Sequence, residues 1–339
     1  MLSLTFSQKS GRNKSIDLLR FIGLSLIILA HVGPPYALFN LRCFDVPMML
    51  FISGLVYSGR KSDFGFTFLV QRVLRLIIPV YIFLTAYFLV SAALKYFAGI
   101  DFGITMKHVV GSYLLTEGIG YVWIIRVFLI IAVLTPGLIA FNRSIQSDVV
   151  LIMILIGISL LLTFAIRAGW GMDNIFVREF VYYAVAYSIP FIVGLRVMQS
   201  DRRKFFRFFA FVAIVAAACG TVQAIGGGRL LDINSLKYPP QSYFLFYGLF
   251  MSLVCYFICC CTRIRDKVPA LFQFIGMNTI WIYLYHIPLI QLTGRLTIPW
   301  WMRYCTVYLL AVALCYVQVM LVERLRMRHD RAIYKYLKG

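Results

Sequence analysis

The sequence predicts an all-α, polytopic membrane protein, a bundle of about ten transmembrane helices with both termini in the cytoplasm. Three observations carry that reading. The 339 residues are 61% hydrophobic and 14% charged, where a soluble protein averages about 45–50% and about 25%. Apolar runs of about twenty residues, the length of a bilayer crossing, recur from end to end. They lack the period-two alternation of a transmembrane barrel. Basic residues, finally, gather in alternate loops, as the positive-inside rule requires. A formal charge of +20 would point a soluble chain toward nucleic acid. Here topology accounts for it, and no nucleic-acid partner is expected.

The spans follow in order. The first, over 15–38, comes after Lys9, Arg12 and Lys14. It reads as a retained anchor, because the run is long, contains His31 and shows no small-residue cleavage site before Pro34 and Pro35. Spans two to four cover 43–58, 73–98 and 119–141; the third is entered through Arg72, Arg75 and Pro79, and the fourth carries Trp123 and Arg126. Spans five to seven cover 149–168, 175–198 and 205–225, with Arg196, Arg202, Arg203, Lys204 and Arg207 in the loop before the seventh. The eighth, over 243–262, ends on Cys255, Cys259, Cys260 and Cys261. Without histidine partners these fit no zinc pattern and read as unpaired thiols, with palmitoylation as a minor alternative and no metal site. The ninth, over 271–292, holds His286, and the tenth, over 301–323, leads into a basic tail over 324–339.

With the N-terminus inside, most of the 33 Lys and Arg fall on the cytoplasmic side. Arg60, Lys61, Arg72, Arg75, Arg143, Arg263, Arg265, Lys267, Arg324, Arg326, Arg328, Arg331, Lys335 and Lys338 join those already named. The opposite side holds Arg42, Lys95, Lys107, Arg167, Arg178, Arg229, Lys237, Arg295 and Arg303. Trp123, Trp170, Trp300 and Trp301 fall near the outer interface, where indoles concentrate. No linker or internal repeat interrupts the chain. It is read as one membrane domain over 1–339, whose bundle must itself perform any chemistry.

Candidate site residues are those that are costly in lipid. Asp17, Arg20 and His31 all lie in the first span. Arg20 and His31 share one helical stripe, about 16 Å apart along the axis. Either they face a polar interior, as intramembrane charges usually do, or they snorkel toward opposite interfaces. His31 and His286 each lie about fifteen residues from the cytoplasmic side and Arg126 about thirteen, in a core about twenty residues deep. This common depth suggests a shared polar chamber. Both histidines precede prolines, Pro34 and Pro288, which free backbone carbonyls that need water or protein partners. On the inner side Arg72 and Arg75 share a helix face. With Arg20 they offer guanidinium forks suited to phosphate, or serve as ordinary topological anchors.

These residues together resemble the membrane-bound acyltransferase-3 family of glycan O-acyltransferases. The resemblance rests on Ile16-Asp17-Leu-Leu-Arg20 through His31, and on Phe44-Asp-Val-Pro-Met-Met-Leu-Phe-Ile-Ser-Gly54. It continues in Arg72-Val-Leu-Arg75-Leu-Ile-Ile-Pro79 and in Trp123-Ile-Ile-Arg126, where Ile124 replaces the family's aromatic. Tyr238-Pro-Pro240 and Ile282-Tyr283-Leu-Tyr-His286-Ile-Pro288 complete it. The resemblance implies a ten-helix enzyme taking an acyl group, usually acetyl from acetyl-CoA, from the cytoplasm. The implied acceptor is a sugar hydroxyl on a cell-surface or lipid-linked glycan. It further implies that Arg20 and His31 are essential and that Arg72 and Arg75 lie near the donor.

Joined to the residue reading, this gives a set of expectations. His31 is general base on the acceptor hydroxyl or, as the lesser alternative, an acyl-carrying nucleophile; Arg20, which helps hold the donor, and Asp17 complete the catalytic set. Arg72 and Arg75 bind the donor. Arg126, His286, Tyr283 and Tyr238 orient the acceptor or stabilise the oxyanion. Acyl-CoA is a substrate rather than a resident cofactor. Membrane lipid and glycan-assembly proteins are the other expected partners, and the expected location is the bacterial inner or plasma membrane. The rival reading is a transporter or flippase for a lipid-linked sugar or small metabolite, which would also place Arg, His and broken helices at membrane depth.

Overall fold

The computed structural model describes residues 13–58, 66–99, 101, 103–116, 118–261, 267–328 and 333–337. Lys9, Arg12, Arg60, Lys61, Arg263, Arg265, Arg331 and Lys338, counted above as cytoplasmic, lie outside the described residues, as do the side chains of Cys261, Arg328 and Lys335. The fold is all-α. It runs α1 (Lys14–His31), α2 (Tyr36–Leu41), α3 (Asp45–Ser58), α4 (Phe66–Ala98), α5 (Met106–Tyr113), α6 (Trp123–Ser144) and α7 (Asp148–Arg167). A π-helical turn at Val177–Val181 leads into α8 (Tyr182–Met198), followed by α9 (Arg202–Ile225). After a 3-10 turn at Asn234–Leu236 come α10 (Ser242–Cys261), α11 (Ala270–Met277), α12 (Thr279–Thr293), α13 (Trp300–Arg328) and α14 (Tyr334–Leu337).

Among the described residues, 8 helical stretches are long and apolar enough to cross a membrane: Tyr36–Ser58, Thr67–Ala98, Trp123–Ser144, Asp148–Arg167, Val177–Met198, Arg202–Ile225, Ser242–Cys260 and Trp300–Met327. The other two spans expected from the sequence differ for identifiable reasons. Helix α1 carries Lys14, Asp17 and Arg20 within its 18 residues, so its apolar part is short. The run over 271–292 is two helices rather than one. It breaks at Asn278, whose φ of −112° and ψ of 29° are non-helical, leaving α12 with 15 residues. Exposed side chains agree with a lipid environment: Ile214, Val222 and Ile225 on α9 and Leu309, Leu314 and Val317 on α13 point outward, where a soluble protein would place charge.

The chain divides into two compact units. Unit 1 comprises Met1–Asp63 and Leu134–Gly276, and unit 2 comprises Phe64–Val133 and Met277–Gly339. In unit 1, α3 and α8 form the most extensive pairing. Lipid offers no hydrophobic drive between helices, so close approach depends on small residues. Gly54 on α3 lies against the Phe191 carbonyl and Gly194 on α8 against the Phe51 carbonyl, and a Cβ on either would overlap that oxygen. Ser53-Gly54 is thus part of a reciprocal helix crossing. A hydroxyl chain ties α7 to α10, with Ser242 Oγ 2.7 Å from Thr163 Oγ1 and accepting from Ser159 Oγ at 3.0 Å. The α6–α7 turn is held by Arg196, which donates to the Asn142 carbonyl at 3.1 Å and pairs with Asp148 at 3.5 Å.

In unit 2, α12 packs on α13 and on α4. The Tyr87 hydroxyl donates to Gln291 Oε1 at 2.6 Å between α4 and α12. Helix α14 is anchored by Trp281 Nε1 on the Tyr336 carbonyl at 3.2 Å and Gln318 Nε2 on the Leu337 carbonyl at 2.7 Å.

Candidate functional site

In unit 1 the first span begins with an N-cap, Asn13, whose side chain accepts from the Ser15 amide at 3.0 Å. Asp17 follows in the first turn, where a carboxylate suits the helix dipole. It is 2% exposed and pairs with Arg20 at 3.5 Å, the Arg20 side chain being 30% exposed. The Asp17 backbone is crossed by α11 at Gly276, where a Cβ would overlap the Asp17 carbonyl. Phe21 stacks on Phe272 of the same helix with centroids 4.2 Å apart. The first turns of α1 are therefore tied to α11, and Asp17 is the more deeply buried partner of its pair with Arg20.

His31 is the last residue of α1 and half-buried. The helix stops there because Gly33 turns the chain at φ +72° and two prolines follow. The imidazole thus stands at a helix C-terminus, beside the unsatisfied carbonyl ends. Tyr238 lies in the loop after the 3-10 turn, with the Lys237 ammonium 5.5 Å from its ring centroid. Half its surface faces outward, but desolvation of the phenol end, with the Asp45 carboxylate nearby, raises its pKa above the ordinary tyrosine value.

In unit 2, Arg72 is half-buried and Arg75 exposed, both ahead of Pro79 in α4. Arg126, 3% exposed, donates through Nη1 to the carbonyls of Leu115 and Thr116 at 3.1 and 3.3 Å. The Tyr283 hydroxyl donates to the Tyr121 carbonyl. His286 is fully buried and its Nδ1 meets the Tyr283 carbonyl. A carbonyl oxygen only accepts, so Nδ1 carries the proton in that contact. Tyr121 stands edge-on to the His286 ring at 5.9 Å. Three of the expected acceptor or oxyanion residues thus converge on the segment between α5 and α6. In that segment Leu115 adopts φ 57°, an uncommon conformation for a bulky residue that surrounding contacts must enforce. Its carbonyl is one of the two that Arg126 holds.

Reading the chain by position treated Arg42 and Lys237 as outer-loop charges and passed over Asp45. The structure corrects this: Arg42, Asp45 and Lys237 are 3%, 2% and 3% exposed. Asp45 accepts from Arg42 at 2.7 Å and from Lys237 at 3.3 Å. Both cations are buried because a carboxylate on α3 compensates them. The local signal was an Arg and an Asp three residues apart at the start of an apolar run.

Buried Arg and His on a multi-helix membrane scaffold define an integral membrane protein with a polar, chemically equipped interior. The acyltransferase domain of acyltransferase family 3 matches residues 13–320, nearly the whole chain, and the protein belongs to that family of membrane acyltransferases. No curated protein and no solved structure is found to match it.

Proposed function

We propose that the protein is an O-acyltransferase that moves an acyl group, acetyl from acetyl-CoA, to a sugar hydroxyl of a cell-surface or lipid-linked glycan. The observation that carries the proposal is α1 itself. It sets a fixed Asp17–Arg20 pair near its start and a half-buried imidazole at its very end, within the family match. His31 takes the proton from the acceptor hydroxyl as the oxygen attacks the thioester carbonyl. The carbon–sulfur bond then breaks, and the proton passes to the leaving CoA thiolate. Arg72 and Arg75 bind CoA phosphates through guanidinium forks, and Arg20 steadies the donor. Tyr238, Arg126, Tyr283 and His286 orient the acceptor or stabilise the oxyanion. Helices α1 and α12 are the two further crossings, giving ten, with both termini inside a bacterial inner or plasma membrane.

The test is acyl transfer by the purified protein in detergent, with radiolabelled acetyl-CoA and an extract of membrane glycans as acceptor, followed by glycan mass spectrometry. Acetyl-CoA-dependent label on glycan supports the proposal, and its absence with every acyl-CoA tried favours the transporter.

A further inference from the structure

Besides Asp17, unit 1 buries three charged side chains that lie outside α1 and have no part in the chemistry above. Around the Arg42–Asp45–Lys237 group, Asp45 Oδ1 also accepts from the Val46 amide at 2.8 Å, and the Arg42 guanidinium lies 4.5 Å from the Phe39 ring. Three further links accompany the Lys237–Asp45 pair. The Asn234 amide donates to Asn40 Oδ1 at 2.9 Å, Cys43 Sγ to Asn234 Oδ1 at 3.6 Å, and the Tyr247 hydroxyl to the Leu41 carbonyl at 2.6 Å. The Asn234 and Cys43 links join the same two stretches of chain as the Lys237–Asp45 pair, and the Tyr247 link ties the first of them to α10. One is the segment that leaves His31 through Pro34 and Pro35 and ends at Asp45. The other is the loop before α10 that carries Tyr238.

Such a network is not the obvious way to stabilise a membrane domain. Apolar side chains of similar volume commonly do as well or better, whereas loss of one member strands a charge. Ionisable groups retained at such cost inside a membrane protein point to function. We propose that Arg42, Asp45 and Lys237 are positioning residues: they lock the segment after His31 to the Tyr238 loop, so that the acceptor hydroxyl meets His31 in one geometry. The inference rests on the acyl-transfer reading for its catalytic consequence, and on the Lys237–Asp45, Asn234–Asn40 and Cys43–Asn234 links for its structural part.

Two measurements on the full chain test it. In the first, Asp45→Asn and Lys237→Met are compared with the parent at equal amounts of monodisperse protein, with labelled acetyl-CoA and membrane-glycan extract. Misplacement of the acceptor lowers kcat by about tenfold or more and leaves the acetyl-CoA KM within about twofold. Lys237→Arg, which keeps the charge, recovers most of the rate. In the second, Asn234→Cys is introduced and oxidised, and the disulfide to Cys43 is mapped by mass spectrometry. Cross-linking is efficient in the parent background and falls about fivefold or more with Asp45→Asn, because the two stretches separate once the charge pairs are broken. Parent-level kcat in both Asp45→Asn and Lys237→Met overturns the proposal, as does a loss of rate matched by an equal rise in acetyl-CoA KM. Unchanged cross-linking in Asp45→Asn overturns it as well. If the parent itself transfers no acyl group, the proposed function fails, and the cross-linking result still decides whether the network holds the two stretches together.

Discussion

Asp17 and Arg20 face each other across one turn of α1, 3.5 Å apart, with the carboxylate almost fully buried and the guanidinium partly exposed. The Asp17 backbone is held at the α11 crossing by Gly276, which sets where its buried carboxylate meets the guanidinium. Asp17→Asn keeps the shape and removes the charge. Hydrogen bonds to charged groups contribute about 1.5–3 kcal/mol, so kcat/KM for acetyl-CoA-dependent transfer falls about tenfold or more. Initial-rate kinetics in detergent check this.

His31→Ala and His31→Gln abolish labelling of the acceptor while leaving membrane insertion and the size-exclusion profile unchanged. The residue ends its helix and is only half-buried, so little packing depends on it. Retained transfer in either variant removes the general-base role.

Arg75→Gln separates binding from chemistry. The side chain is exposed, so the fold tolerates the change. Loss of one guanidinium–phosphate contact raises the acetyl-CoA KM by about tenfold, with kcat altered much less. An unchanged KM assigns Arg75 to topology alone.

Gly54→Val and Gly194→Val each drive a side chain into the facing carbonyl at the α3–α8 crossing. Overpacking costs about 1–3 kcal/mol where neighbours can shift, and backbone carbonyls shift least. Both variants should melt well below the parent in a detergent thermal-shift assay, and the double variant should not recover.

Tyr283→Phe and Arg126→Gln loosen the segment between α5 and α6. The first removes one donor from the Tyr121 carbonyl, at about 1 kcal/mol. The second withdraws Nη1 from two carbonyls, including that of strained Leu115, and should cost more. Hydrogen exchange over 111–122 rises in both, with Arg126→Gln the larger. Equal exchange in parent and variants assigns these side chains away from the segment.

The helical membrane class, most span positions and the family were legible in the amino-acid order alone. Each rests on a local quantity: the length of an apolar run, the charge of the loop beside it, or a short motif. His31 at a helix end was legible too, because Gly33 and the prolines that stop α1 are its sequence neighbours. The break at Asn278 was less visible, since the apolar run continues through it and its hydropathy hides the interruption.

What only the tertiary structure decided is which polar side chains meet. Helical periodicity assigns a residue to a face but does not say which helix lies opposite. Arg42 and Lys237 therefore looked like separate surface charges until Asp45 brought them into the interior. Ser53-Gly54 was a motif without a reason until Gly194 appeared across from it. Arg126 read as an intramembrane charge, and the fold brought two carbonyls of the turn before α6 within reach of its guanidinium. Burial makes unpaired charge costly in lipid, so the sequence alone could say that these residues need partners. Only the fold could choose them.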